Sequence, residues 1–252
     1  RSLTEAFLRR SDGAALLLPR MLPIGETEEM DPLLAAEDEP GLRDVLDLAP
    51  AMPDLQRRLA LSRLILDQAR KQEESDLSPA RAARLAGSLA DLLDLVQTEQ
   101  LSFEGLSSLA PDEFAAHWQV TLKFLSVLTE HWPGVVEALG CMDPAARRNA
   151  LMKGQAEAWR RKPPETPVIA AGSTGSVPAT ADLLAVVARL PQGAVVLPGL
   201  DPHVGTEDIE TLEATHPQFG MHKLLKTMEV ALADVATWQS DLSPVCSESR
   251  VR

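Results

Sequence analysis

The residues best suited to chemistry lie in a short loop of small side chains, Gly172 to Ser176. Two glycines free the backbone amides of such a loop, and a helix starting at Pro178 would add its N-terminal N–H groups, so the loop could cradle a phosphate. A P-loop also needs a Gly-Lys-Ser/Thr sequence, which brings an ammonium to the outer phosphates and a hydroxyl to magnesium. No Gly-Lys pair occurs in the chain. The pattern therefore favours a tight structural turn, with phosphate binding as the alternative.

The same loop carries two hydroxyls, Ser173 and Ser176, that a base could activate for nucleophilic attack. Their neighbours approach the Gly-x-Ser-x-Gly pattern of a nucleophile elbow without completing it. Three histidines further along the chain are possible bases: His203, His216 and His222. They lack the spacing of zinc ligands, and Cys141 and Cys246 stand outside any CxxC or Cys/His pattern. A hydrolase that uses this loop stays open as an alternative, whereas metal and redox chemistry are not predicted.

Two apolar runs and one helical pattern must position the loop. The run Val168 to Ala171 precedes it, a helical pattern follows from Pro178 to Leu190, and a second run covers Ala194 to Leu197. Two short strands joined by such a helix form a βαβ unit with parallel strands, so the sequence predicts an α/β fold. Ligands bind such folds at the carboxyl ends of the strands. A further apolar run, Ala14 to Leu18, is predicted to be a buried strand of the same sheet.

Residues 40–162 show helical patterns throughout. Leu55, Leu59, Ser62/Arg63 and Leu66 follow one stripe, and Ser78-Pro79 supplies an N-cap and a first-turn proline for the next helix. Further apolar positions of this block are predicted to line the core: Leu85, Leu89, Leu92, Leu93, Val96, Phe114, Trp118, Phe124, Leu125, Leu128 and Trp132. A helix from Asp143-Pro144 closes the block.

Prolines between Pro163 and Pro167 end the helical block sharply. An excursion of this length forms a subdomain, so we predict one α/β domain from residues 1–39 and 163–252, interrupted by a helical insertion over 40–162. Residues Ser2 to Arg10 have a helical pattern without capping residues before it, and we expect the chain to be part of a longer protein.

The formal charge of −13 argues against a strong intrinsic affinity for DNA, because lysine and arginine dominate binding to phosphates. Local basic segments are Gln56-Arg57-Arg58 with Arg63, Ala146-Arg147-Arg148, and Trp159 to Lys162. Solvated or ion-paired helix faces explain such segments most simply, with Arg160, Arg161 and Lys162 as the candidate contact for DNA or a partner. The chain has no long apolar run and no signal-peptide layout, which predicts a soluble, cytoplasmic protein without membrane contact.

The stretches Pro167 to Ser176 and Leu190 to Asp201 resemble the N-terminal region of the AddB family of alphaproteobacteria. AddB is the helicase-nuclease subunit that pairs with AddA in double-strand break repair. Further matching motifs lie at Leu17 to Arg20, Leu22 to Gly25, His117 to Gln119, Phe124 to Leu125, Asp143 to Asn149 and His216 to Gln218. The similarity spans essentially the whole chain, although none of these motifs is a catalytic signature.

The resemblance implies an inactivated superfamily I helicase. In active members one strand ends in Asp-Glu, which hold magnesium and activate water, and a later strand ends in Gly-Asp-x-x-Gln, which senses the γ-phosphate. Gly172, Ser173 and Thr174 would fall near the Asp-Glu pair, and Asp201 would fall at the sensor. Hydroxyls cannot supply the two negative charges that metal binding requires, and one carboxylate is insufficient. No catalytic, cofactor-binding or metal-binding residue is therefore expected in this chain.

The resemblance further implies a degenerate RecA-like sheet of the P-loop NTPase type in the α/β domain. The parent protein would continue into a second helicase-like domain and a nuclease with an iron-sulfur cluster, so that cluster and magnesium are expected only elsewhere. The expected partners are an AddA-like subunit and, in the assembled complex, DNA. The predicted function is a non-catalytic scaffold that supports the motor subunit and guides DNA; the alternative is a small-molecule or phosphoester enzyme that uses the Gly172 to Ser176 loop.

Overall fold

The protein divides into two compact units, Arg1–Lys162 and Pro163–Arg252. The computed structural model describes residues 2–10, 15–24, 48–71, 77–103, 121–122, 124–202, 212–213 and 215–237. The division between the units falls at the start of the proline-rich stretch, where the lack of backbone N–H groups ends the last helix of the first unit. The grouping of residues 1–39 with the second unit stays a prediction.

The described part of the predicted helical block is mainly helical, with non-helical connections at residues 48–53, 77–78, 99–103 and 139–143. Its helices are α1 (Ser2–Arg10), α2 (Asp54–Lys71), α3 (Pro79–Thr98), α4 (Trp132–Ala138) and α5 (Pro144–Arg161). A π-helical turn, Val127–His131, leads directly into α4. The predicted start of α3 is confirmed, because the Ser78 hydroxyl accepts a hydrogen bond from the Arg81 N–H at 3.3 Å and Pro79 opens the helix.

The core of the first unit is formed by apolar side chains from α2, α3 and the π-helical turn, together with Met52 and the first residue of α4, Trp132. Its buried members are Met52, Leu61, Ile65, Ala82, Ala86, Leu89, Ala90, Leu93, Val127, Leu128 and Trp132. The predicted burial of Leu89, Leu93, Leu128 and Trp132 is confirmed, and Leu85, Leu92, Phe124 and Leu125 are partly buried against the same cluster. Phe114 and Trp118 lie outside the described residues.

The predicted stripe of α2 was wrong for Leu55 and Leu59, which are 71% and 54% exposed. Leu66 of the same stripe is partly buried against the core. The face that packs inward instead carries Arg57, Leu61, Ile65 and Ala69. Arg57 can lie on this face because carboxylates from other helices neutralise its charge there, as described below. The predicted stripe left out Arg57, although this residue lies on the buried face with Leu61 and Ile65.

The second unit contains the predicted strand-helix-strand arrangement. Strand β1 (Val168–Ala171), helix α6 (Pro178–Val187) and strand β2 (Gly193–Val196) follow in that order, and β1 pairs with β2 in parallel. The register sets Val168 opposite Gly193 and Ala171 opposite Val196. Helix α7 (Phe219–Met228) and a 3-10 turn (Leu232–Asp234) complete the described part of the unit.

The chain has a mixed, mostly helical architecture with a small parallel sheet. This architecture is compatible with the α/β class. The sheet has two strands among the described residues. The predicted strand at 14–18 was wrong where it can be checked, since residues 15–18 are irregular and Leu17 is 97% exposed. An apolar run becomes a buried strand only when a neighbouring strand pairs with its backbone, and no described strand does so.

Within the described residues, no helix is both long enough and apolar enough to cross a membrane.

Candidate functional site

The two strands of the second unit end side by side, which brings two loops to one edge of the sheet. Ala171 lies opposite Val196 at the last register position. The pairing continues one step further, because the Gly172 N–H donates to the Val196 carbonyl at 3.0 Å. The loops that follow β1 and β2 therefore start from the same edge, as the sequence predicted for the carboxyl ends of parallel strands.

The first loop is held as a tight turn by its own backbone. Gly172 and Gly175 have φ angles of +82° and +62°, which glycine adopts without the steric cost of a side chain. The Ser173 hydroxyl accepts a hydrogen bond from the Gly175 N–H at 3.2 Å. The Ser173 hydroxyl therefore stabilises the turn. The Gly175 N–H is used in this bond, although a bound phosphate would need it as a donor.

Helix α7 packs against the first loop from the second unit's interior. A methyl group on Gly175 would lie 2.7 Å from the Leu224 side chain, and Gly175 is buried. Near the start of the helix, a methyl group on Gly220 would lie 3.7 Å from the Thr174 carbonyl oxygen. Leu224 thus fills the side on which Gly175 lacks a side chain, so that side of the turn is packed by apolar atoms.

The second loop is fixed by a residue that the sequence did not single out as functional. The Gln218 side chain donates from Nε2 to the Gly199 carbonyl at 2.9 Å and accepts through Oε1 from the Asp201 N–H at 3.1 Å. This pair of bonds binds the loop to the start of α7. The backbone of Asp201 is anchored while its side chain is exposed. Gln218 lies within a motif already noted, but pattern alone gives no sign that its amide faces this loop.

The histidines are not hydrogen-bonded to the loop hydroxyls within the part of the chain that the structure describes. His216 is exposed, and its Nδ1 accepts from the Gln218 N–H at 3.2 Å. His222 is buried on α7, and its Nε2 has no hydrogen-bond partner among described groups. His203 lies outside the described residues. A serine needs a positioned base to become a nucleophile, and these contacts do not provide one.

Metal-binding groups of three or more His, Cys, Asp or Glu side chains are absent from the described residues. In the two loops at the sheet edge, residues 172–177 and 197–201, Asp201 is the one carboxylate of the sequence. Cys141 is half-buried, and its thiol donates to the Leu139 carbonyl at 3.4 Å. Cys246 lies outside the described residues.

The first unit contains a charged cluster around the buried Arg57 and Asp143 that the sequence reasoning missed, and its third charged member, Asp94, has a side chain that is 43% exposed. Arg57, which is 2% exposed, contacts Asp94 through both terminal nitrogens at 2.9 Å, and its Nε lies 2.9 Å from Asp143. Asp143 also accepts hydrogen bonds from Trp132 Nε1 at 2.8 Å and Gln97 Nε2 at 3.0 Å. These five residues, the Arg57 cluster, join α2, α3, α4 and the start of α5. Every one of their contacts points to another member of the helical core, which identifies a structural role.

The arginines at the start of α5 are likewise engaged in internal contacts. Arg147 Nε donates to the Ala49 carbonyl at 3.1 Å, and Arg148 donates to the Thr98 hydroxyl at 2.7 Å. Together with Arg57, two of the three predicted basic segments therefore hold helices together.

The basic segment at the end of α5 remains on the surface. Arg160, Arg161 and Lys162 are all exposed, and Arg161 lies 3.6 Å from Glu157 one turn earlier. Cations at the carboxyl end of a helix are favoured by the helix dipole, which gives these residues a local structural reason as well.

Comparison with known proteins gave no matching family model, no matching curated protein and no matching solved structure.

Proposed function

We propose that this chain is a non-catalytic, helicase-like module of an AddAB-type helicase-nuclease that acts in double-strand break repair and recombination. In this proposal the module is a cytoplasmic scaffold for an AddA-like motor subunit and a guide for DNA, and its second unit is a degenerate RecA-like domain. Two features support it: the sequence resemblance at Pro167 to Ser176 and Leu190 to Asp201, and the adjacent carboxyl ends of two parallel strands.

The observation that carries the proposal is the set of side chains at that sheet edge. An ATP-hydrolysing motor needs carboxylates there to hold magnesium and to activate water. This chain has Gly172 in a left-handed conformation, Ser173 bonded within its own turn and Thr174. Asp201 alone cannot replace a pair of carboxylates. The sheet edge thus has the strand arrangement of an ATP-hydrolysing motor but lacks the carboxylates. This combination suits a module that supports another motor subunit.

The test is nucleotide binding by the complete chain. A ligand present at 100 times its dissociation constant stabilises the folded state by about 2.7 kcal/mol. The loop belongs to the second unit, Pro163–Arg252, and for a unit of about 90 residues this corresponds to a rise in Tm of roughly 11–22 °C. We expect ATP with magnesium to raise the Tm of neither unit by more than about 1 °C, and phosphate release to stay at the rate without protein.

The competing enzyme hypothesis makes the opposite prediction in the same samples. A phosphoester or small-molecule enzyme that uses the Gly172 to Ser176 loop would turn over an aryl phosphate or aryl ester, and Ser173→Ala would abolish the turnover. Saturable protection by nucleotide, or turnover lost in Ser173→Ala but retained in Ser88→Ala, would overturn the scaffold proposal. Ser88 is a matched control because it is exposed on α3 in the other unit.

The scaffold role is tested by association. Mixed with an AddA-like subunit at micromolar concentration, the chain should elute with it in size-exclusion chromatography. Independent elution of the two proteins at low salt would contradict the role, whatever the outcome of the nucleotide test.

A further inference from the structure

We propose that the outer face of the α2–α3 hairpin is a docking surface for an acidic amphipathic helix of a partner protein. This hairpin surface is made of two exposed leucines and four exposed cations: Leu55, Leu59, Arg63, Lys71, Arg81 and Arg84. It belongs to the first unit alone. The inference goes beyond the proposed function, because it holds for any partner of this chemistry.

Helix α2 carries apolar side chains on two different faces. One face packs into the core of the unit through Leu61 and Ile65. The other face carries Leu55 and Leu59, which lie one turn apart and are 71% and 54% exposed. A surface helix of a globular protein has one apolar stripe, which faces the core. The second stripe of α2 is therefore an apolar contact that the described part of the unit leaves unused.

The unpaired charges of the hairpin are mainly positive. Each carboxylate of α2 and α3 except Asp91 is ion-paired with an arginine of α2. The four cations of the hairpin surface take no part in these pairs within the described residues. The complete sequence has 24 basic and 37 acidic residues, so this surface has the opposite sign to the chain as a whole. Complementary charge at an interface favours an acidic partner here.

The cations and the leucines lie towards opposite ends of the hairpin. Arg57, in the first turn of α2, contacts Ala90 and Asp94 in the second half of α3. The two helices therefore run antiparallel, and the cationic end of α2 lies beside the start of α3. About 24 Å of helix separate Leu55 from Lys71. A matching helix carries carboxylates at one end and apolar side chains at the other.

The helix dipole fixes the direction of the partner helix. Carboxylates are favoured in the first turn of a helix, so the acidic end of the partner is its N-terminal end. That end meets the cations, and the partner helix runs antiparallel to α2. Apolar side chains one turn apart in its second half then contact Leu55 and Leu59, as in other complexes that bind an amphipathic helix. A nucleic acid would use the cations through its phosphates but leave the leucines uncovered.

The experiment titrates the complete chain into a labelled synthetic peptide and follows fluorescence anisotropy. The peptide has glutamates in its first two turns and leucines at i, i+4 and i+7 in its second half. A peptide of the same composition in scrambled order is the comparison. We expect saturable binding of the ordered peptide, about tenfold or more tighter than that of the scrambled peptide.

Substitutions separate the apolar end from the charged end. Leu55→Ser/Leu59→Ser should weaken binding about tenfold or more and leave its salt dependence unchanged, because buried leucine surface is not screened by salt. Arg81→Ala/Arg84→Ala should weaken binding about threefold or more and make the salt dependence shallower. All four side chains are exposed, so circular dichroism should show the same helix content in both variants.

Matched controls remove the same groups elsewhere. Leu3→Ser/Leu8→Ser takes two leucines that are 61% and 53% exposed from α1, and Arg160→Ala/Lys162→Ala takes two exposed cations from the end of α5. Each control should change the affinity by less than about twofold. The proposal is overturned if the scrambled peptide binds equally well, if either control weakens binding as much as its counterpart, or if an oligothymidine of equal charge binds as tightly as the ordered peptide.

Discussion

Removing Asp143 from the Arg57 cluster should destabilise the first unit strongly. Asp143 is 5% exposed, pairs with Arg57 and accepts hydrogen bonds from Trp132 and Gln97. Breaking one partner out of a buried ion pair costs about 3–5 kcal/mol. Arg57 would keep Asp94, which contacts both terminal nitrogens at 2.9 Å, so its charge stays compensated. We therefore expect Asp143→Ala to cost about 3 kcal/mol, at the lower end of that range.

The double variant separates the ion pair from the packing around it. Arg57→Met alone leaves a buried carboxylate without its cation and should cost about 4 kcal/mol. Arg57→Met with Asp143→Leu removes both charges, and apolar replacements of a buried pair are often close to neutral. Asp143→Leu is measured alone as well, and the loss for the double variant should fall short of the sum of the Arg57→Met and Asp143→Leu losses by about 2 kcal/mol or more.

Urea unfolding followed by far-UV circular dichroism measures these losses, because the helices of the first unit dominate the signal. Asp91→Ala is the control: Asp91 is exposed on the same helix as Asp94, and its loss should stay within about 0.5 kcal/mol. A loss below about 1 kcal/mol for Asp143→Ala, or strictly additive single losses, would refute the reasoning that the cluster is a coupled buried network.

Three smaller predictions concern turns and caps. Gly175→Ala should cost about 3 kcal/mol in the second unit, because its φ of +62° and its 2.7 Å approach to Leu224 both oppose a methyl group; Gly172→Ala, with open space around it, should cost about 1 kcal/mol in the same thermal unfolding assay. Ser78→Ala removes the α3 N-cap and should cost about 1 kcal/mol in urea unfolding, and an unchanged midpoint would contradict the capping role. Gln218→Ala should speed amide exchange and proteolysis in the loop after β2, while equal exchange would show that the two side-chain bonds do not hold that loop.

Local signals predicted the elements that depend on neighbouring residues. The strands β1 and β2 and the helix between them follow from short apolar runs bounded by glycine and proline, and their parallel pairing follows from the length of the connection. The start of α3 follows from Ser78-Pro79 for the same reason. These features need no information from distant parts of the chain.

The predictions that were wrong concern elements whose partners lie far away in the sequence. The inward face of α2 turns on Arg57, whose carboxylate partners stand on α3 and at the start of α5. A prediction that does not know these carboxylate partners places a charged residue on the surface. The predicted strand at residues 15–18 was wrong because a suitable composition is not enough. Its apolar residues suit a buried strand, but no strand of the described sheet pairs with it.

At the candidate site the sequence predicted which loops lie together, but not the side-chain contacts that hold and cover them. The bond from Gly175 N–H to the Ser173 hydroxyl and the packing of Leu224 depend on the placement of α7. The Gln218 contacts depend on it as well. These contacts decide whether the loop is open to a ligand or is a packed turn. They cannot be predicted from the pattern of residue types.

The Arg57 cluster also sets an order of events during synthesis. Asp143 leaves the ribosome about 86 residues after Arg57, or about 4–17 s later at the usual rates of translation. During that interval a hairpin of α2 and α3 can form with Arg57 held by Asp94 alone. Until Asp143 has emerged, the guanidinium lacks the second carboxylate that it contacts in the folded unit. The contacts of Arg57 can therefore be completed only after the start of α5 has been synthesised.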